Sequence, residues 1–323
     1  MPIVKMSEIY ADASEKQYIV GAFNVFNLDT MHAVLQAAEK EESPVILQVS
    51  MGARKYIPSL ELFISIMKIM ADTVTVPVSI NHDHCLGIQA AKEAIDAGVN
   101  SVMFDGSHLS FEENISATRE VVEYAKEKGV CVEAELGCLP GFEDEVFAEN
   151  AVFTNPEMAK EFVERTGCDF LAVAVGTSHG GVKSDNPLLL HFDILEKIHE
   201  IIPRVPLVLH GAASLPDELI TYVNRYGGKV PNLKNCSEAD INKSRFYGIC
   251  KANMDVDNFL AYTGTVRKVL TEKPEKYDPR IYLKPAKEAF EEEIRHKMKL
   301  VNQSSNHNWL KEQGEKNDTL NLS

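Results

Sequence analysis

Residues 76–84 read Val-Pro-Val-Ser-Ile-Asn-His-Asp-His, an apolar run that ends directly in two histidines. The same arrangement returns twice, because residues 170–175 lead to His179 and residues 205–209 lead to His210. Runs that are continuously apolar, instead of alternating with polar residues, are typical of parallel strands buried on both faces. The sequence therefore predicts three imidazoles that meet at one edge of a parallel sheet.

Strand-like runs recur along the whole chain, with helical patterns between them. Gly98 and Gly129 end two of the predicted helices, at 88–97 and 114–128, because glycine readily adopts the left-handed conformation that terminates a helix. Repeated alternation of strand and helix predicts an α/β fold, a single-domain (β/α)8 TIM barrel. A doubly wound sheet is disfavoured, because the first run lacks the glycine fingerprint of that fold. The eight runs are 19–23, 45–49, 76–80, 99–104, 130–134, 170–175, 206–209 and 249–254.

The predicted domain organisation is one barrel over residues 1–302, closed by a C-terminal helix over 285–301. Residues 303–323 are mostly polar, and we expect them to be a disordered tail. Two segments, 135–154 and 225–244, interrupt the regular spacing and are predicted to be long loops.

Composition excludes several functional classes. The formal charge of −15 argues against nucleic acid and anionic membranes as partners. No apolar stretch approaches the roughly 20 residues of a membrane span, and residues 1–10 do not resemble a secretory signal. The six cysteines show no Cys-x-x-Cys spacing, so we interpret them as free thiols of a cytoplasmic protein.

Polar side chains follow every predicted strand and would share the carboxyl-terminal face of the barrel, where barrel enzymes hold their active sites. Three imidazoles with an open fourth position are the ligand set of catalytic zinc, and His84, His179 and His210 are the candidates. His82 competes with His84, since alternate residues of a strand share a face. The further strand-end residues are Asn24, Ser50, Asp83, Asp105, Glu135, Asn253 and Asp255.

Two of these acidic residues are predicted to support the metal. Glu135 is either a fourth, displaceable ligand or an acceptor for an imidazole N–H, and Asp105 is the stronger candidate for that acceptor role.

Glycine-containing turns follow two of the histidines. Gly180 and Gly211 leave backbone N–H groups open to an oxyanion, and Lys183 and Ser214 lie nearby in sequence. We expect a phosphate there; the alternative is that the glycines only make tight turns.

The stretches of sequence around these residues together resemble the class II, metal-dependent fructose-bisphosphate aldolases. The branch they are similar to is the B-type, which also contains tagatose-bisphosphate aldolases. The resemblance spans residues 1–301 in the family's order. It rests on the phrases Gly21-Ala22-Phe23-Asn24, Asn81-His82-Asp83-His84-Cys85, Phe104-Asp105-Gly106-Ser107, Glu133-Ala134-Glu135-Leu136-Gly137, Gly176-Thr177-Ser178-His179-Gly180, Leu209-His210-Gly211 and Tyr277-Asp278-Pro279-Arg280.

The resemblance implies reversible cleavage of fructose 1,6-bisphosphate to dihydroxyacetone phosphate and glyceraldehyde 3-phosphate. It implies one zinc ion per chain on the three histidines and allows a monovalent cation. Asp83 matches the acid/base residue, and Glu143 matches an acidic residue of a mobile loop. Asn253 matches a contact to the dihydroxyacetone-phosphate half. Residues that match its phosphate cradle are Gly180, Lys183, Gly211 and Ser214.

Further matches concern assembly and sugar choice. Arg280 matches an arginine that reaches the neighbouring subunit's site, which implies a homodimer or homotetramer. Asp255 matches an aspartate usual in fructose-specific relatives. The chain departs from the family where Ala213 replaces the usual serine, with Ser214 one position later. Tagatose bisphosphate remains the alternative substrate. A metal-dependent barrel hydrolase and a non-catalytic binding barrel are the more distant alternatives.

Overall fold

Eight parallel strands close into a barrel. The computed structural model describes residues 2–143, 146–148 and 150–311, with 142, 143 and 146–148 described by backbone alone. The predicted (β/α)8 fold is confirmed. The barrel strands are β1 (Val20–Asn24), β2 (Val45–Val49), β3 (Val78–Cys85), β4 (Ser101–Phe104), β5 (Cys131–Leu136), β8 (Phe170–Val173), β10 (Leu207–Leu209) and β12 (Ile249–Asn253). Around the barrel they follow the order β1-β12-β10-β8-β5-β4-β3-β2.

Helices alternate with these strands and cover the outside of the barrel. Gly98 and Gly129 end two of them in the left-handed conformation, as predicted. Asn27 caps α2, where it forms a capping box with Thr30. The helices are α1 (Met6–Lys16), α2 (Leu28–Glu41), α3 (Met51–Tyr56), α4 (Leu60–Ala71), α5 (Ile88–Ala97), α6 (Phe111–Lys128), α7 (Pro156–Thr166), α8 (Phe192–Ile201), α9 (Asp217–Arg225), α10 (Glu238–Ser244), α11 (Val256–Glu272) and α12 (Pro279–His296). A π-helical turn, Lys297–Val301, continues α12. Among the described residues, no helix has the length and apolar character needed to cross a membrane.

Both predicted long loops contain short ordered elements. The first carries a hairpin of β6 (Gly141–Glu143) and β7 (Val146–Ala148). The second contributes β11 (Leu233–Lys234), which pairs with β9 (Val182–Lys183), and then α10. Each segment is therefore tied to the carboxyl-terminal face of the barrel.

The barrel interior changes from apolar to polar along its axis. Val20, Ile46, Phe170 and Val208 pack together in one cluster. Towards the carboxyl ends of the strands the buried side chains are polar, among them Gln48, Asn81, Asp83, Asp105, Glu133, Glu135, His210, Lys251 and Asn253. The apolar layer supplies stability, and the polar layer places the functional groups.

The C-terminal segment differs from the prediction of a disordered tail that begins at residue 303. Ser304, Asn308 and Trp309 are buried, and Tyr18 stacks on His307 with ring centroids 4.4 Å apart. The Asn306 N–H donates to the Glu41 carbonyl at 2.8 Å. Its few apolar residues therefore suffice to pack residues 303–311 on the barrel. Residues 312–323 lie outside the described part of the chain.

Trp309 provides a test of this packing. Trp309→Ala should lower the free energy of unfolding by about 3 kcal/mol, because a large buried ring is lost and the segment cannot refill its site. Urea titration measures the loss. Ile69→Ala on α4, where the side chain is 68% exposed, is the control and should change stability by no more than about 0.5 kcal/mol. Equal stability of the two variants would contradict the packing.

Candidate active site

His84, His179 and His210 converge at the carboxyl ends of β3, β8 and β10. Their ring centroids are 4.7 Å apart for His84 and His210, 5.1 Å for His84 and His179, and 6.2 Å for His179 and His210. One ligand atom from each lies within 4.8 Å of the others, and all three side chains are buried. Three buried imidazoles at this spacing fit the donor set of one divalent metal ion.

A bulge in β3 explains how consecutive residues serve the same site. The register with β4 shifts between His82 and Cys85, and His84 has a φ of 43°, in the left-handed region. Such a bulge re-aims side chains that would otherwise alternate between faces. His84 therefore joins the metal group while Asp83 lies beside it. His82 instead directs Nδ1 to the Asp83 carbonyl and to Cys85 Sγ.

Asp105 orients His84. Its Oδ2 lies 2.9 Å from His84 Nδ1, and Ser107 donates two hydrogen bonds to Oδ1. Burial raises the pKa of Asp105, but the contacts with His84 and Ser107 outweigh it and hold that pKa well below its usual range. A carboxylate on one ring nitrogen presents the opposite nitrogen to a metal, which is the role that the sequence predicts for Asp105.

Glu133 orients His210 in the same way, and the sequence analysis did not identify it. Its Oε1 accepts from His210 Nε2 at 2.7 Å, and its Oε2 accepts from Lys251 Nζ at 2.8 Å. Burial raises the pKa of Glu133, but Lys251 and His210 lower it to about 2. The available signal was spacing: Glu133 precedes Glu135 by two residues, so both face the barrel interior.

Glu135 lies on the metal side of His210. Its Oε2 is 3.4 Å from His210 Nδ1, and it forms a second possible metal group with His84 and Asp105. Burial raises the pKa of Glu135, and Asp105 adds to this effect. Burial lowers the pKa of His210, but hydrogen bonds to Glu133 and Glu135 outweigh it and raise that pKa to about 9. A metal ion at this nitrogen therefore competes with a proton.

Two amides hold the remaining carboxylates of the site. Asn253 Nδ2 lies 3.1 Å from each oxygen of Asp83. Asn24 donates through its backbone N–H and its side chain to Asp255, at 2.8 and 2.6 Å. Four residues predicted independently from strand ends therefore form two pairs.

Two adjoining cavities open at this face. A small one of about 30 Å³ is lined by His84, His179, Gly180, Gly211, Ala213, Asn253, Asp255 and Val256. A wide one of about 590 Å³ shares Gly180, Asp255 and Val256 with it and continues past Asn24 and Ser50 to Phe26, Tyr56, Phe259 and Tyr262. A ligand can thus extend from the histidines outward to an aromatic rim.

Gly211 is required by close packing. Its φ is 59°, and a Cβ there would lie 2.6 Å from the Ser178 carbonyl oxygen. The turn that follows does not direct Ser214 towards the cavity, although the sequence predicts Ser214 as part of the phosphate cradle. Its N–H and hydroxyl both donate to Asp257, at 2.9 and 3.0 Å, and it does not line the small cavity. Ala213 lines the cavity instead, so the hydroxyl shifted by one position has turned away from it.

The other predicted residues lie further from the histidines. Ser50 caps α3 and lines the wide cavity. Lys183 is exposed on β9 and lines a separate concavity with Ser184, Asp185 and Asn232. Arg280 is exposed at the start of α12, where it pairs with Asp278 of its own chain. The Glu143 side chain lies outside the described residues.

Comparisons with known proteins agree with this geometry. Residues 4–306 match the family model described as fructose-bisphosphate aldolase class-II. The chain belongs to this family. It is 42% identical to a fructose-bisphosphate aldolase of Giardia intestinalis over 93% of both chains, and 39% identical to one of Treponema pallidum over 93% of this chain and 96% of that one.

Solved structures of aldolases share the fold. A putative fructose-1,6-biphosphate aldolase of Coccidioides immitis superimposes with a TM-score of 0.78 at 27% identity, covering 94% of this chain and 98% of that one. The YdjI aldolase of Escherichia coli K12 gives 0.74 at 31% identity, covering 95% and 99%. Class II aldolases depend on a metal ion, and two groups among the described residues of this class II aldolase could hold one: the three histidines, and His84 with Asp105 and Glu135.

Glu133 should control metal affinity in this class II aldolase. Glu133→Gln removes the charge that faces His210, so the affinity for zinc should fall by about 10–100-fold, the range for an outer-shell partner. Competition with a coloured chelator measures it. Glu112→Gln is the matched control, because Glu112 only pairs with Arg165 at the surface. Unchanged zinc affinity in Glu133→Gln would assign the carboxylate to barrel stability alone.

Proposed function

We propose that this aldolase cleaves fructose 1,6-bisphosphate reversibly, with zinc held by His84, His179 and His210. The observation that carries the proposal is the convergence of these three buried rings beside Asp83. Three neutral histidines leave the ion's charge intact, so zinc would act there as a Lewis acid that stabilises the negative charge of the enediolate. Glu135 is the proposed fourth ligand when substrate is absent. The proposed location is the cytoplasm, because the six cysteines are free thiols.

Asp83 is the proposed base that takes the proton of the C4 hydroxyl during cleavage and returns it during condensation. The Asn253 amide lies 3.1 Å from both carboxylate oxygens, which fixes the orientation of Asp83. Asn253 would also contact the dihydroxyacetone-phosphate half. Glu143 is proposed to serve the proton transfer at carbon, as the resemblance implies.

The first phosphate is proposed to bind at the small cavity. Gly180 and Gly211 present backbone to it, and Ala213 completes the wall without a side-chain hydroxyl. Oriented N–H groups supply a local positive potential that the net charge of −15 does not. Lys183 would have to approach from β9, and a monovalent cation beside the phosphate remains a prediction.

The second phosphate is proposed to lie in the wide cavity, near Ser50 and the aromatic rim. Its charge needs a cation, and no lysine or arginine lines the described walls of that cavity. Arg280 of the partner subunit is the proposed cation, which makes the enzyme an obligate homodimer or a homotetramer built from such dimers.

Asp255 is the proposed determinant of sugar choice. Fructose and tagatose bisphosphates differ at C4 alone, so only polar contacts satisfied by one epimer can separate them. Asn24 fixes both oxygens of Asp255 at the junction of the two cavities. Tagatose 1,6-bisphosphate remains the alternative substrate.

The function is tested by measuring the cleavage of fructose 1,6-bisphosphate and of tagatose 1,6-bisphosphate, with and without a chelator. The assay compares the wild type with Asp83→Ala. The chelated wild type should lose cleavage of fructose bisphosphate and recover it with zinc. Asp83→Ala should retain one zinc per chain yet turn over about 10²–10⁴-fold more slowly, because only the proton transfer is lost.

Asp96→Asn is the control for loss of a carboxylate, since Asp96 lies at the surface with Tyr124 and Lys128. A chelator-insensitive wild type would overturn the metal-dependent mechanism. Near-normal turnover of Asp83→Ala would remove Asp83 from it.

Arg280 is tested by subunit mixing. Asp83→Ala and Arg280→Ala chains should each be impaired, and a hybrid dimer should contain one complete site. Equal mixing after subunit exchange should therefore restore about a quarter of wild-type activity, since half of the dimers are hybrids.

Two differently tagged chains, purified through both tags in series, establish that hybrids have formed. A pure hybrid preparation no more active than the two parents would place Arg280 in its own chain's site. A monomeric, fully active wild type would have the same consequence.

A further inference from the structure

Lys297 is a buried ammonium whose partners lead to the active-site turn. It begins the π-helical turn after α12, and its side chain is 1% exposed. Its Nζ lies 2.7 Å from Asp257 Oδ2, 2.6 Å from Glu238 Oε1 and 3.0 Å from Ser214 Oγ. Glu293, one turn earlier, is 3.3 Å away. One cation therefore faces three carboxylates and a hydroxyl.

Asp257 connects this cation to the turn that follows His210. Its Oδ2 accepts from the Ser214 N–H at 2.9 Å, and its Oδ1 accepts from the Leu215 N–H at 2.9 Å. The Ser214 hydroxyl donates to the same Oδ2 at 3.0 Å. The Asp257 carboxylate thus holds the last two residues of the turn 211–215. Nearer the start of this turn, Gly211 and Ala213 line the small cavity.

Lys297 is the cation that faces the buried Asp257 carboxylate, 2.7 Å away. Asp257 is fully buried, and a carboxylate out of contact with water is costly unless it is paired and hydrogen-bonded. Glu238 and Glu293 add negative charge beside it, and His296 contacts only Glu238 among these three carboxylates. Without the ammonium, the three carboxylates would repel one another, and Asp257 would no longer hold the N–H groups of Ser214 and Leu215.

The π-helical turn is a second observation that points to Lys297, and it is independent of the hydrogen bonds in the charged cluster. A π turn inserts a residue into an α-helix and re-aims the side chains around it, and such turns occur often at functional positions. Here it begins at Lys297 and ends where Asn302 donates its N–H to the Lys297 carbonyl at 2.8 Å. The local distortion of α12 thus coincides with the residue that enters the charged cluster.

We infer that Lys297 is a positioning residue for phosphate binding: through Asp257 it fixes the turn 211–215, so that Gly211 and Ala213 present their backbone to the substrate's phosphate. This inference adds a residue of the C-terminal extension to the proposed site and rests on the proposed function.

The test compares Lys297→Met with wild type in the zinc-loaded enzyme. The KM for fructose 1,6-bisphosphate and the Kd for dihydroxyacetone phosphate should each rise about tenfold, as for loss of a charged hydrogen-bond partner. The kcat should change by less than about threefold and the zinc content should stay at one per chain, because uniform binding alone is weakened. Lys297→Gln, which is uncharged but able to donate to Ser214, should behave in the same way and serves if Lys297→Met does not fold.

Arg295→Met is the matched control. It removes an equal charge from the same helix, but Arg295 pairs with Glu41 and Glu292, neither of which contacts the turn. Its KM should stay within about twofold of wild type, because the substitution leaves the contacts of Asp257 with Ser214 and Leu215 in place. A rise in KM equal to that of Lys297→Met would show that the helix as a whole, and not the Lys297–Asp257 link, determines binding.

A double-variant cycle with Asp257→Asn decides whether the two residues act through one link. If they do, the double variant should bind about as weakly as either single variant; independent effects would multiply to about a hundredfold. Unchanged KM and Kd in both Lys297 variants, loss of zinc, or multiplied effects would each overturn the inference. A wild type that cleaves neither sugar would instead contradict the proposed function, which separates the two failures.

Discussion

The site depends on the contacts that the fully buried Glu133 carboxylate makes with His210 and Lys251. It joins β5, β10 and β12, which are not all neighbours in the barrel, so it acts across the interior. Moving three such groups out of water is costly, and the cost is offset only when their geometry is held rigidly. The closed barrel supplies that rigidity, and the fixed carboxylate in turn sets the orientation of His210.

The same principle recurs around the metal group. Asp105 orients His84, Asn253 holds Asp83, and Asn24 holds Asp255. In each pair the residues come from different strands, so a change in register would separate them. Preorganised partners of this kind let a site stabilise charge without reorganising during the reaction.

The C-terminal extension contacts both ends of the barrel. At the amino-terminal end of the strands, Asn302 accepts the Ile19 N–H at 2.9 Å and residues 303–311 cover the barrel. At the turn after β10, Lys297 joins the cluster around Asp257. The two contacts are five residues apart and are linked by one π turn. A segment that composition presents as a polar tail is in part structural.

The sequence by itself determined the class of fold, the family and which residues stand at the strand ends. Continuous apolar runs at a regular spacing predicted the barrel, and the residues at their ends supplied His84, His179, His210 and Asp83, because local patterns survive in sequence. Tertiary structure decided everything that depends on contacts between distant strands. The β3 bulge, the Glu133–Lys251 pair and the rotation of Ser214 towards Asp257 have no local signature, since each is selected by the balance of burial and hydrogen bonding in the closed barrel.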